Sequence, residues 1–69
     1  LRLTLQTALG RLSPALREAF LLRHQAGYDY DEIASLLEVS SSAAKMRVHR
    51  ARETLQAFLV GEGVSAAGH

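Results

Sequence analysis

Residues 29–52 constrain the fold more than any other part of this chain, because they carry two helical apolar patterns separated by a short break. Tyr30, Ile33, Ala34 and Leu37 recur at three- and four-residue steps, the spacing of one helix face. Glu38-Val39-Ser40 interrupts the pattern, with Val39 the one apolar residue available to plug the angle between two helices. Ala44, Val48, Ala51, Leu55 and Phe58 then resume it at steps of four, three, four and three. Neither stripe can be buried by its own helix, so the two must fold on each other. The expected unit is a helix-turn-helix.

Charge sharpens that expectation. Residues 29–38 hold Asp29, Asp31, Glu32 and Glu38 and no base. Residues 45–52 hold Lys45, Arg47, Arg50, Arg52 and His49 and no acid. The formal net charge is only +1, so the local positive field comes from distribution and not from excess. At about 100° per residue, the side of the second helix opposite its apolar stripe presents Ser42, Met46, His49 and Glu53. Lys45 and Arg50 flank it. Ser, Lys, His and Arg can contact base edges and phosphates, and Ser41, Ser42, Ala43 and Ala44 keep the helix start slim. The pattern points to a helix that enters the major groove of DNA. Solvent-facing basic helices are common, and helix-turn-helix geometry also serves protein docking. A protein-interaction module therefore stands as the alternative.

The flanking sequence is helical too. Leu1, Leu5, Ala8, Leu9 and Leu12 form a stripe that predicts a helix over residues 1–10. Ser13-Pro14 restarts the chain, Ser as an N-cap and Pro at the first helical position. The next helix is expected over 14–26, with Gly27 as its left-handed terminator. Asp29 and Glu32 have the spacing of a capping box. Ser40 or Ser41 caps the last helix, expected to reach about Val60 and to end at Gly61-Glu62-Gly63. The expected architecture is an all-α, four-helix domain over residues 1–60, of the winged-helix-like DNA-binding class without a wing. Residues 61–69, small and Gly-rich, read as a flexible C-terminal tail.

Composition closes other routes. The 69 residues allow one small domain, and 48% hydrophobic content suffices for its core. There is no Cys, which removes disulfides, zinc fingers and thiol catalysis. His24, His49 and His69 lack ligand spacing, so neither metal nor cofactor is expected, and no enzyme. Asp29, Asp31 and Glu32 are read as complements to a helix dipole. No apolar run approaches the roughly 18 residues of a membrane span, and no secretory leader is visible. A start at Leu1 in place of Met reads as a piece of a longer protein.

Four motifs carry a family resemblance. Leu9-Gly10-Arg11-Leu12-Ser13-Pro14 is similar to an "L-x-x-L-P/S-P" opening, and Arg17-Glu18-Ala19-Phe20-Leu21-Leu22-Arg23 to "R-E-A-hydrophobic-x-L-R". Gly27-Tyr28-Asp29-Tyr30-Asp31-Glu32-Ile33-Ala34 resembles "G-x-S/T-Y-E-E-I-A", and Lys45-Met46-Arg47-Val48-His49-Arg50-Ala51-Arg52-Glu53 resembles "K-S-R-L-H-R-A-R-E". Together they resemble region 4 of bacterial sigma factors of the extracytoplasmic-function group, from Ala8 to Leu59.

That resemblance implies a cytoplasmic domain that binds the minus-35 promoter element and docks on the β flap of core RNA polymerase, with an anti-sigma factor as a further partner. It implies groove-facing roles for Lys45, Met46, His49 and Arg50. It implies backbone approach for Ser41 and Ser42 and a phosphate contact for Arg23. Arg47 is expected to brace the two helices through Glu32. Three departures stand out. Glu38 occupies a turn position where the family often has Gly, and a Glu with positive φ is strained. Ser42-Ala43-Ala44-Lys45 stands where "G-T-V-K" is common, and Met46 stands for a frequent Ser. Two other readings remain beside the sigma factor: a sigma-like mimic that captures an anti-sigma factor, and the output domain of another helix-turn-helix regulator.

Overall fold

The computed structural model of the chain describes residues 4–59. Four helices follow in order: α1 (Leu5–Gly10), α2 (Pro14–His24), α3 (Tyr30–Leu37) and α4 (Ser41–Leu59). The expected all-α architecture is what forms. The expected helical residues 1–3, Val60 and the 61–69 tail lie outside the described residues.

Each start is a local chemical event. Thr4 caps α1 by accepting from the Thr7 amide, so this helix begins at Leu5 within the described residues. Ser13 accepts from the Leu16 amide at 3.3 Å, with Pro14 at the first helical position. Asp29 and Glu32 close the full capping box at α3: the Glu32 amide donates to Asp29 Oδ1 at 2.8 Å and the Asp29 amide to Glu32 Oε1 at 2.9 Å. Ser40 caps α4, accepting from the Ala43 amide at 3.0 Å.

The two turns around α3 both use a left-handed residue. α2 stops at His24, two residues before the expected Ala26, and Gly27 sits at φ +82°. At the end of α3, Glu38 takes φ 59° and ψ 46°. The Val39 amide reaches back to the Ala34 carbonyl at 2.9 Å and the Glu38 amide to Ser35 at 3.4 Å. This pair of bonds is a Schellman motif, and Val39 packs onto the core as its apolar partner. The positive φ anticipated at Glu38 is therefore present.

α4 packs on all three other helices and carries the core. Its stripe divides in two. Ala44 and Val48 meet Ala19, Ile33 and Ala34 in one buried cluster, with Leu22, Tyr30, Leu37 and Val39 at its edge. Ala51 and Leu55 meet Ala8 and Leu12 in another, edged by Leu9, Leu16, Phe20 and Phe58. Of the five positions expected to face inward on α4, Ala44, Val48, Ala51 and Leu55 are buried and Phe58 is half-buried. Leu5 departs from expectation. It is 52% exposed although it belongs to the apolar stripe, because α1 is short and reaches α4 through Ala8 and Leu12. Among the described residues no buried side-chain N or O lacks a partner.

Candidate nucleic-acid interface

The outer face of α4 is built by subtraction. Burying Ala44, Val48, Ala51 and Leu55 fixes the rotation of the helix, and whatever lies opposite must face water. Ser42, Lys45, Met46, His49, Arg50 and Glu53 are all exposed, as the helical spacing requires. Met46 is 52% exposed, a high value for a large apolar side chain with no partner in the fold. Met46, His49 and Arg50 line one shallow hollow, with Glu53 and Thr54 below them and Leu16 of α2 as its far wall.

The candidate residues at the edges are engaged within the fold. Arg23, in the last turn of α2, is half-buried. Its Nη1 donates to the Tyr28 carbonyl at 3.0 Å, and its guanidinium lies 4.9 Å from the centre of the Tyr30 ring. A guanidinium has five N–H groups, so the others remain for an incoming phosphate. The Ser41 hydroxyl donates to Asp31 Oδ1. With its one proton committed, that hydroxyl can only accept further bonds. The Ser40 cap uses neither the Ser41 nor the Ser42 amide. Lys45 is exposed, and its Nζ stands 6.0 Å from the centre of the same Tyr30 ring. The geometry thus gathers Met46, His49 and Arg50 on one patch and brings Arg23 and Lys45 together through Tyr30.

Two engagements have no local signal in the sequence. Asp31, read there as a dipole complement to α3, also ties that helix to the first residue of α4 across ten positions. Arg52 donates from Nη2 to His24 Nε2 at 3.0 Å, which joins α4 to the end of α2 and makes Arg52 a strut. His24 also stacks on Phe20, with ring centres 4.4 Å apart. Partial burial pushes the His24 pKa below its usual 6.5, and the nearby charges of Arg52 and Arg23 push the same way. A neutral ring is what the Arg52 bond requires, since an imidazolium has no acceptor. Glu32 Oε1 accepts from the Asp29 amide at 2.9 Å, and no bond between Arg47 and Glu32 is among the side-chain contacts of the described residues.

Among the described residues no group of His, Asp or Glu is arranged to hold a metal ion, and no helix is long and apolar enough to cross a membrane. The interface offers positive charge, hydrogen-bond donors and one apolar side chain along a single helix face. That set suits a polyanion with readable edges.

Comparison with known proteins agrees. The chain is 41% identical over 59 residues to RNA polymerase sigma factor CarQ of Myxococcus xanthus, a match covering 86% of this chain and 34% of the relative. It is 38% identical over 55 residues to the ECF RNA polymerase sigma factor SigE of Mycolicibacterium smegmatis, covering 80% of this chain and 21% of that protein. A probable ECF RNA polymerase sigma factor, SigI of Mycobacterium tuberculosis, is 34% identical over 68 residues, covering 99% and 23%. The chain therefore spans about a fifth to a third of the length of these relatives. No solved structure matches it. The profile of sigma-70, region 4 matches residues 2–55, most of the chain and all of the helix-turn-helix turn, and the chain belongs to that family.

Proposed function

We propose that this chain is the promoter-reading domain of an extracytoplasmic-function sigma factor, directing transcription initiation by RNA polymerase from the cytoplasm. In this reading α4 lies in the major groove of the minus-35 element, with Lys45, Met46, His49 and Arg50 toward base edges. Ser41, Ser42 and Arg23 approach the backbone. The observation that carries it is the outer face of α4: basic, exposed along its length and fixed in rotation by a buried opposite side. The printed names of the relatives support the sigma-factor part. The flap of the β subunit and an anti-sigma factor are the protein partners of this reading.

Titration of labelled promoter-like duplexes at several salt concentrations tests it, with and without the polymerase flap. Counterion release makes affinity fall linearly on a log–log plot against salt, with a shallow slope because few phosphates are reached. On a preferred duplex, Arg50→Ala costs about 1–3 kcal/mol if Arg50 reads a base bidentately. The same loss on every duplex reduces Arg50 to a phosphate contact. Flap binding with no DNA binding at any salt replaces the proposal with the protein-interaction alternative.

A further inference from the structure

We propose that Tyr30 is a positioning residue of this interface: its ring is the common seat that orders Lys45 and Arg23 before DNA arrives. The inference rests on the DNA-binding reading above and extends it to a residue on α3 that the sequence marks only as part of the inward face. Three helices converge here. Tyr30 opens α3 beside the Asp29–Glu32 capping box, which fixes its backbone. Its side chain is half-buried and packs on the cluster of Ala19, Ile33, Ala34, Ala44 and Val48, so the ring has little freedom. Arg23 lies over it at 4.9 Å from α2, already pinned by its bond to the Tyr28 carbonyl. Lys45 lies over it at 6.0 Å from α4.

Stability alone does not explain this arrangement. A cation over a ring at the outer limit of reach, on an exposed side chain, contributes little to folding. Two cations over one ring also stand within about a Debye length of each other, roughly 10 Å at 0.1 M salt, and repel. A polyanion reverses that balance, because a phosphate near both charges relieves the repulsion. Lysine has a long, freely rotating stem and loses much conformational freedom when a ligand fixes it. A ring that confines Lys45 in the free protein reduces what binding must still remove. Tyr30 need not touch DNA to act this way.

The test uses the full chain, and circular dichroism verifies that each variant folds. Tyr30→Leu keeps apolar volume and removes the ring, whereas Tyr30→Phe keeps the ring. Tyr30→Leu is expected to weaken duplex binding about two- to fivefold, the size of an exposed cation–π contact, and Tyr30→Phe to leave it unchanged. The loss caused by Lys45→Ala is expected to shrink by the same factor in the Tyr30→Leu background. Losses that simply multiply, or a Phe variant as weak as Leu, overturn the inference. A second readout needs neither DNA nor a variant that folds. In the parent chain the Lys45 ε-methylene protons should be shifted upfield by the ring, and shifts ordinary for exposed lysine overturn the proposal. If those protons are shifted but Lys45→Ala binds every duplex like the parent, the interface role assigned to Tyr30 is overturned while the DNA-binding reading stands; a parent chain that binds no duplex at any salt overturns both.

Discussion

The two halves of α4 are held by different chemistry. The first half, from Ser41 to Val48, buries Ala44 and Val48 against Ala19, Ile33 and Ala34, with Leu22, Tyr30, Leu37 and Val39 at the edge. Its surroundings are tied by directional polar bonds, namely the α3 capping box, the Ser40 cap and the Ser41–Asp31 link. The second half buries Ala51 and Leu55 against Ala8 and Leu12, with Leu9, Leu16, Phe20 and Phe58 at the edge. Here the added contacts come from guanidinium groups: that of Arg11 lies 5.8 Å from the Phe58 ring centre, and that of Arg52 donates to His24 at 3.0 Å. Small residues let the α3 and α4 backbones come close, and caps then fix the angle between them. The half that carries the outward Lys45 and Met46 is thus fixed by caps and a cross-helix carboxylate bond, and the other half by guanidinium contacts.

Val48→Asp should have the largest effect. Val48 is fully buried, and an unpaired carboxylate there costs upwards of about 3 kcal/mol. A domain of this size has little margin above that. The expected result is loss of helical circular dichroism across the whole chain, because α4 belongs to both clusters. A folded variant with only its DNA binding reduced would mean that the inward face has been misassigned. Leu55→Ala should come next, with a loss of about 2–5 kcal/mol typical of a buried Leu truncation. At a temperature where this variant remains folded, hydrogen exchange should quicken first in α1, while the amides of α3 stay protected. Equal quickening in both would show that the two halves do not differ in the way described.

What was legible in the sequence follows the same division. The caps at Ser13, Asp29 and Ser40 were readable because each bond closes within three residues. The α4 stripe was readable because one helix fixes its own periodicity, whatever it packs on. The links from Ser41 to Asp31 and from Arg52 to His24 were not, since they span ten and 28 positions and depend on the turn having formed. Glu32 follows the same rule: its bond to the Asp29 amide closes within three residues and was readable as half of the capping box. Within the site, exposure of Lys45, Met46, His49 and Arg50 was legible from spacing. The use of Arg23 and Ser41 inside the fold was not.

The turns at either end of α3 allow a smaller and opposite test. Gly27 and Glu38 are both left-handed, and only one is glycine. Glu38→Gly should raise stability by about 1 kcal/mol, measured by thermal or denaturant unfolding, because an L side chain in this region is strained. It also removes a negative charge from the C-terminal end of a helix, where the dipole disfavours it. Gly27→Ala should cost a similar amount. A Cβ there would meet open space, so the whole penalty lies in the backbone. Glu38→Gly without stabilisation would mean that the Schellman turn holds its residue without strain.

The smallest effect expected concerns the second half and pH. His24 has its pKa held below 6.5 in the folded chain, chiefly by partial burial and then by Arg52 and Arg23. The unfolded chain, with the ordinary value, binds the proton more readily. Stability therefore falls as pH drops below about 6.5, and the loss levels off once the folded-state pKa is passed. Well above pH 6.5 the imidazole is neutral in both states and contributes no slope. Calorimetry from pH 8 to pH 5 should show a small acid-side decrease in melting temperature that His24→Gln reduces. Protonation also removes the acceptor for Arg52, so the decrease should be accompanied by faster exchange at the end of α2. The first half of α4, whose Ser40 cap and Ser41–Asp31 bond do not involve His24, should keep its protection over the same range. Joint loosening of both halves would show that the Arg52–His24 contact supports the helix-turn-helix itself.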